Sequence, residues 1–581
     1  MKKVLLSTSL LLLCGTIFSG AANTANYEVM PRTPRMVKNA QKDDNTLIIY
    51  NCADYIDEEL IIAFEEEYDC NVEYYTYDTN ETMYNQFTLQ PEGTYDLICA
   101  SEYMLQRMIR EGLVEPLNIK EECPVYDQYA SNEVRSKLKN MSADTDGDGK
   151  KDTSLDNYIA GYMWGTLGII YDPYCSDTIR EDVKSWDIFW DSKYEDLISI
   201  KNSMRDTFVV GLMHAYKGSE ISGLEVVLTP AREAYLAALE LATTEEQKEL
   251  ARKEYNDIIQ GIFDLVITEK DHLPILEMVK KELIALKDNI FGFEVDSGKN
   301  DIITGKIKMN LAWSGDAVYS IGEGEKVGKT LEYFVPEDGA NVWYDGWTLP
   351  KGSNRELACA FIDYISSPEN AAQNMEYIGY TSFVSCDDVF DMISDWYGLS
   401  QYNESTVYHG PYYDPEENIH YEGSYVLYEG KYYNCLLTSE QYDQGDIIEI
   451  DGIDPTDETV WIEVNVDELE LGNPIDLGFL FKDNMSEGRD TIIYPFAECE
   501  NQLLTQYPTQ NTIAGCAIMN DFEDANADVV IMWGQLRAYT NMVPYYVFLI
   551  TVVSVAIIWF VYSTIKKNKS TRNKRRLANL K

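Results

Sequence analysis

Histidine is nearly missing from this 581-residue chain. His214, His272, His409 and His420 are the only four, and no two sit at a spacing that a zinc ion or a catalytic triad could use. A phosphate loop is missing too. In Gly324-Glu-Lys-Val-Gly328-Lys329-Thr330 three residues separate the glycines where four are required, and counting from Gly322 gives five. None of the eleven cysteines forms a CxxC pair, which removes the common zinc patterns. Ten remain once Cys14 is set aside, and their spacings assign no disulfide. No internal repeat is present. These absences leave an enzyme little to work with.

Basic residues are scarce as well: 47 against 98 acidic ones, a net charge of −51. Ten of the bases lie at the two ends, Lys2, Lys3 and eight from Lys566 to Lys581, so the body between carries 37 bases against the same 98 acids. Such a surface repels nucleic acid and anionic lipid and concentrates cations.

Both ends read as membrane-directed segments. Residues 1–22 carry two lysines, an apolar run from Val4 to Leu13 too short to span a bilayer, and small residues at Ser19-Gly20-Ala21. That is the pattern of a cleaved signal peptide. Leu13 before Cys14 is too bulky for a lipoprotein anchor. Near the other end, Val543–Ile565 contains no charged residue. Its 23 residues would reach roughly 34 Å as a helix, against a hydrocarbon core of ~30 Å. Tyr545, Tyr546, Trp559 and Tyr562 fall near its ends, and the basic tail 566–581 belongs in the cytoplasm by the positive-inside rule. The expectation is a single-pass protein of the cell membrane with its body outside, on the periplasmic face where an outer membrane exists.

Between these ends the chain alternates strand and helix. TLIIYN, the helix Asp57–Tyr68, NVEYYTY and YDLICAS form the first parallel α/β unit, and alternation resumes through Tyr158–Tyr171, Leu197–Ala215 and Ile307–Ala317. Pro230–Leu286 reads as a charged, exposed helical hairpin. From 400 to 473 short β-prone runs between acidic turns predict an inserted β-rich module.

Two patterns carry chemistry. Asp144, Asp146, Asp148, Lys150 and Asp152 take positions 1, 3, 5, 7 and 9 of a calcium loop, with Gly149 at position 6 for the turn, although Leu155 stands where a Glu is usual. The second pattern is distributed. Aromatics and polar or acidic partners recur at the ends of predicted strands: Asp54-Tyr55, Ser101-Glu-Tyr103, Trp313-Ser-Gly-Asp316, Trp343-Tyr-Asp345 and Ile378-Gly-Tyr380. Strand ends are where open α/β sheets hold ligands. Carboxylates pair ammonium groups that could not be buried alone, and aromatic faces attract a cation by about 0.5–2 kcal/mol each.

The segments YNCADY, TYDTNETMYNQF, YDLICASEYMLQRMIREGLVEPLN, GYMWGTLGIIYDP, LAWSGDAVYSIGEG and VWYDGWTLPKGSN resemble the spermidine/putrescine-binding proteins of ABC importers. The likeness runs in order over Leu47–Phe383 and resumes at Leu503–Tyr539. It implies a two-lobed type II periplasmic binding protein fold of α/β class, with a β-rich insertion and one C-terminal transmembrane helix added. Lobe 1 would comprise 44–158 and 343–388, and lobe 2 would comprise 159–342 and 474–540. By position, the resemblance implies ligand-binding roles for Asp54, Tyr55, Ser101, Tyr103, Asp206, Trp313, Asp316, Trp343, Asp345 and Tyr380. Cys52 stands where the family usually has Trp, and Ser203 where spermidine binders have an acid. Asp316 matches an acid of putrescine-selective members. The implied partners are a polyamine, an ABC permease and its ATPase, with no cofactor required and no nucleic acid. A surface sensor or adhesion protein, or a receptor for another organic cation, remains open at this level.

Overall fold

The computed structural model describes residues 45–217, 225–402 and 471–539 apart from 488, together with short pieces of 403–470 and residues 551–560 and 562–563. The residues 1–22 read as a signal peptide lie outside the described residues.

Thr46–Cys52 (β1), Asn71–Tyr77 (β2) and Leu97–Ser101 (β3) alternate with helices Glu58–Tyr68 (α1), Asn80–Phe87 (α2) and Glu102–Arg110 (α3). Local chemistry sets these boundaries. The Asp57 carboxylate accepts the Glu59 amide to cap α1, and Asp69 ends that helix in the left-handed region; the Thr79 hydroxyl caps α2. Leu60, Ile61 and Phe64 recur at helical spacing and are buried against the sheet.

Further along, Ala160–Tyr171 (β4), Ile198–Lys201 (β5), Gly292–Glu294 (β6), Met309–Trp313 (β7) and Ala340–Pro350 (β8) complete the main sheet, with Met204–Lys217 (α4) and Ser314–Lys326 (α5) following β5 and β7. The strand order is β2-β1-β3-β8-β4-β7-β5-β6. β1 pairs parallel with β2 and β3, and β5 pairs parallel with β6 and β7, while β8 runs antiparallel to β3 and β4, and β4 antiparallel to β7. The sheet is therefore mixed and falls into two wings. β4 and β8 pass between them: β4 pairs with β8 through its first half and with β7 through Leu167–Tyr171. All twelve residues of β4 are buried, as a strand covered on both faces requires.

The stretch read as an exposed hairpin is instead partly core. Helices Glu225–Leu241 and Glu245–Phe263 do pair, but Ile259, Ile262, Leu276, Val279, Leu283 and Leu286 are buried. Leu273–Lys287 packs on α4 and on Asn526–Ala538. The charged residues occupy only the outer faces, and the apolar ones recur at three- and four-residue intervals that the charge had obscured.

In the region 400–473 the described pieces are strands. Tyr425–Tyr428, Lys431–Cys435 and Trp461–Val464 form a three-stranded antiparallel sheet, and Gly398–Tyr402 lies between Val407–His409 and Ile492–Pro495. Among the described residues no helix is long and apolar enough to cross a membrane. Of the run 543–565, residues 551–560 are helical and exposed, with Ile558, Trp559 and Phe560 each about two-thirds exposed; 543–550, 561, 564 and 565 lie outside the described residues, as does the tail 566–581.

Candidate functional site

A cleft opens where the ends of β1, β3, β5, β7 and β8 meet, and all ten residues expected from the sequence line it. Register explains part of this convergence. Asp345 of β8 lies opposite Ser101 of β3, and Trp343 opposite Gly165 of β4. A Cβ at Gly165 would stand 2.7 Å from the Trp343 ring, and one at Gly315 would stand 2.2 Å from the ring of Tyr380, so both glycines make room for the aromatic wall. Asp54 follows β1 in the left-handed region at φ 52°, a conformation that Asp tolerates better than most residues.

One side of the cleft is acidic and unpaired. The Asp345 carboxylate accepts a hydrogen bond from the Tyr55 hydroxyl at 2.7 Å, and Ser101, its cross-strand neighbour, has a hydroxyl that accepts from Asn80 at 2.9 Å. Burial pushes Asp345 up to about 6, with the Asp206 charge adding to the rise and Ser101 and Tyr55 opposing it. Among the described residues its second oxygen, Oδ1, is buried with no hydrogen-bond partner, and so is Trp343 Nε1. Asp206, also raised by burial, accepts from Trp313 Nε1 at 3.2 Å. The Tyr103 hydroxyl donates to Glu81 at 3.2 Å. Glu102 is fully buried beneath this group, and burial holds its carboxyl well above the ordinary range.

The other side carries its own cations. Lys201, at the end of β5, is fully buried. Its ammonium donates to Asp316 Oδ2 at 2.8 Å and to the Val295 carbonyl at 2.7 Å, with Glu294 Oε1 at 3.3 Å, and it lies 4.2 Å from the centre of the Trp313 ring. Burial opposes that charge, but Asp316 and Glu294 hold it protonated above its ordinary value. Asp316 Oδ1 accepts from the Tyr380 hydroxyl at 2.9 Å. Although burial would raise Asp316, Lys201 and Lys299 bring it below the usual carboxylate value. Lys299 reaches Asp54 at 3.2 Å. Thus Asp316, expected to receive a ligand amine, already holds an ammonium of this chain.

Aromatic rings join the two sides. Tyr55 meets Tyr380 edge-on at 5.0 Å between centroids, and Trp343 lies 5.5 Å from Tyr380. Cys52 and Ser203, where the sequence departs from the pattern it resembles, line the cleft too. Sequence reasoning missed Lys201, Lys299, Arg205, Glu81 and Asp296. The available signal was the run LISIK, in which a lysine closes an otherwise apolar strand. Arg205, buried, lies over the Tyr103 ring at 4.0 Å and donates to the Asn520 carbonyl.

The acidic loop lies elsewhere, between the paired strands Ser142–Ala143 and Thr153–Ser154. Carboxylate oxygens of Asp144, Asp146 and Asp148 gather within 4.8 Å of one another. The amides of Gly147 and Gly149 donate to Asp144, and the Lys150 ammonium is bonded to Asp148. Asp152 does not join this group.

Residues 59–386 match the sequence profile described as bacterial extracellular solute-binding protein. A spermidine/putrescine-binding periplasmic protein of Escherichia coli is 25% identical over 341 residues, spanning 58% of this chain and 77% of that protein. A putrescine-binding periplasmic protein of the same organism is 23% identical over 346 residues, 58% of this chain and 78% of that one. The structure of a spermidine/putrescine ABC transporter substrate-binding protein of Streptococcus pneumoniae, in complex with calcium and HEPES, shares 27% identity and covers 58% of this chain and 83% of that one, with a TM-score of 0.40. With more than half of its length matching that profile and its buried strand ends converging on one cleft, the chain belongs to the bacterial extracellular solute-binding proteins, a family of α/β receptors serving ABC transporters and not of enzymes.

Proposed function

We propose that the protein captures a small organic amine of the class bound by polyamine receptors and delivers it to an ABC permease whose ATPase subunit drives import. The observation that carries this reading is Asp345 Oδ1, a buried carboxylate oxygen without a hydrogen-bond partner among the described residues, in a cleft it shares with Asp206 and Trp343. Two buried carboxylates that raise each other's proton affinity are relieved by one cation between them. The neighbouring aromatic faces suit the methylenes and the charge of an alkylammonium. All ten residues named from the sequence take part as wall or anchor, with Asp316 and Asp54 acting through the lysines they hold. Residues 44–158 with 343–388, and 159–342 with 474–540, serve as lobes that close about β4 and β8.

The apolar helical residues 551–560 support a C-terminal tether over 543–565, with 566–581 in the cytoplasm and a signal peptide removed at 1–22. A tethered receptor is retained at the surface of a cell with no outer membrane.

Calorimetric titration of the detergent-solubilised full chain with putrescine, spermidine and n-pentylamine tests the capture. At least one should bind with a Kd below about 1 mM, and none doing so would remove the reading. Truncation after residue 542 should release the protein from the membrane fraction; retention there would dismiss the tether.

A further inference from the structure

The acids of the cleft divide into two groups by what already neutralises them. Asp316 holds Lys201, and Asp54 holds Lys299. Asp345, Asp206 and Glu81 form no ion pair among the described residues. Arg205 is the one cation lining their side among the described residues, and it is committed to the Asn520 carbonyl and packed between the rings of Tyr103 and Phe522.

Lys201 is already committed to partners of this chain. It donates to Asp316 and the Val295 carbonyl, its charge is also paired with Glu294 at 3.3 Å, and it rests against Trp313, so the ammonium is already neutralised within the chain. Both oxygens of Asp316 already have a partner, since Tyr380 donates to the other one. An acid, an aromatic face and a tyrosine hydroxyl around an ammonium are the surroundings a ligand amine would need, and the protein fills them itself.

We propose that Lys201 is a specificity-determining residue, an ammonium built into the Asp316 end of the cleft, so that the site takes an organic cation with a single ammonium head and an uncharged remainder. This rests on the amine reading above and narrows it. The head enters between Asp345 and Asp206. The remainder, an alkyl chain or the N-acylated end of a diamine, lies along Trp343, Tyr55 and Tyr380. A second ammonium directed at Asp316 meets the positive charge of Lys201 beside an acid that Lys201 already neutralises, and like charges brought together out of water repel strongly.

The test compares putrescine with n-pentylamine, which replaces one ammonium by a methyl group at the same chain length. Both are titrated calorimetrically into the full-length parent and into Lys201→Met. The methionine keeps the stem under Trp313 and frees Asp316. The expected parent binds putrescine no more than tenfold tighter than n-pentylamine, and K201M tightens putrescine more than tenfold over its effect on n-pentylamine. A parent that favours putrescine more than tenfold overturns the proposal, and so does a variant with no gain for putrescine. A parent that binds neither compound removes the amine reading itself, and this proposal with it. Should K201M fail to fold, the double variant Lys201→Met/Glu294→Gln, which discards one charge of each sign, carries the same comparison.

Discussion

Amine affinity should fall steeply between pH 7 and pH 5, earlier than an ordinary aspartate would allow. The cation needs Asp345 ionised, and in the ligand-free cleft burial places that carboxyl at about 6. The apparent Kd scales as 1 + 10^(pKa − pH). That factor is near unity at pH 7, about 11 at pH 5 and about 100 at pH 4 for a group at about 6. An aspartate at its usual ~3.9 would leave the Kd almost flat down to pH 5. Asp296 is also raised to about 6 by burial and by Asp316, but it sits on the side held by Lys201 and Lys299. The two are separable by mutation. Asp345→Asn should abolish the slope and weaken binding by at least about 2 kcal/mol, roughly thirtyfold, the lower range for removing one partner of a buried charge pair. Asp296→Asn should leave the slope in place. Titration calorimetry in buffers of matched ionic strength from pH 5 to 8 reads both. A Kd that stays constant to pH 5, or an unchanged slope in D345N, would refute the assignment of Asp345 as the anchor.

The same carboxylate should destabilise the empty protein. Because its folded pKa is raised, the deficit is present above pH 6 and vanishes as the pH falls below about 4, so D345N should be more stable than the parent at pH 7 by about 1–3 kcal/mol and no more stable at pH 4, as urea melts would show. Gly315→Ala places a Cβ against the Tyr380 ring and should cost about 1–3 kcal/mol of stability and roughly tenfold in amine affinity; a variant that melts and binds like the parent would show that Tyr380 moves freely. Calcium should bind at Asp144, Asp146 and Asp148 with a Kd near 10⁻⁴–10⁻³ M, the range of extracellular calcium modules, and Asp144→Ala should erase the heat; a parent without calcium heat would reduce the loop to a hydrated turn.

Much of the cleft was legible because its parts lie at strand ends that the apolar runs mark. Tyr55, Ser101 and Trp313 each follow or close a buried strand, Asp345 lies midway along β8 opposite Ser101, and the aromatic and acidic pattern repeats there. What could not be read is which acid meets which cation. Lys201 and Asp316 are 115 residues apart, Lys299 and Asp54 245 apart, and no local spacing encodes either meeting. The partly buried helices from 225 to 287 were obscured for a related reason. Charged residues dominate that composition, and only the interval between Leu276, Val279, Leu283 and Leu286 betrays the inner face.

Two of the bonds described above join the wings of the sheet to each other. Lys299 follows β6 and grips Asp54 beyond β1, while Tyr380 reaches Asp316 at the start of α5. If the two wings close about a ligand as proposed, these two bonds would act as clasps that favour the closed arrangement whether or not a ligand is bound. On that reading, any closing free energy they contributed would narrow the contrast between a loaded and an idle receptor. Asp54 is exposed, so the outer clasp weakens as salt rises. The external ionic strength would therefore set how often an empty receptor knocks at the permease, a form of background traffic that a ligand-gated latch would not have.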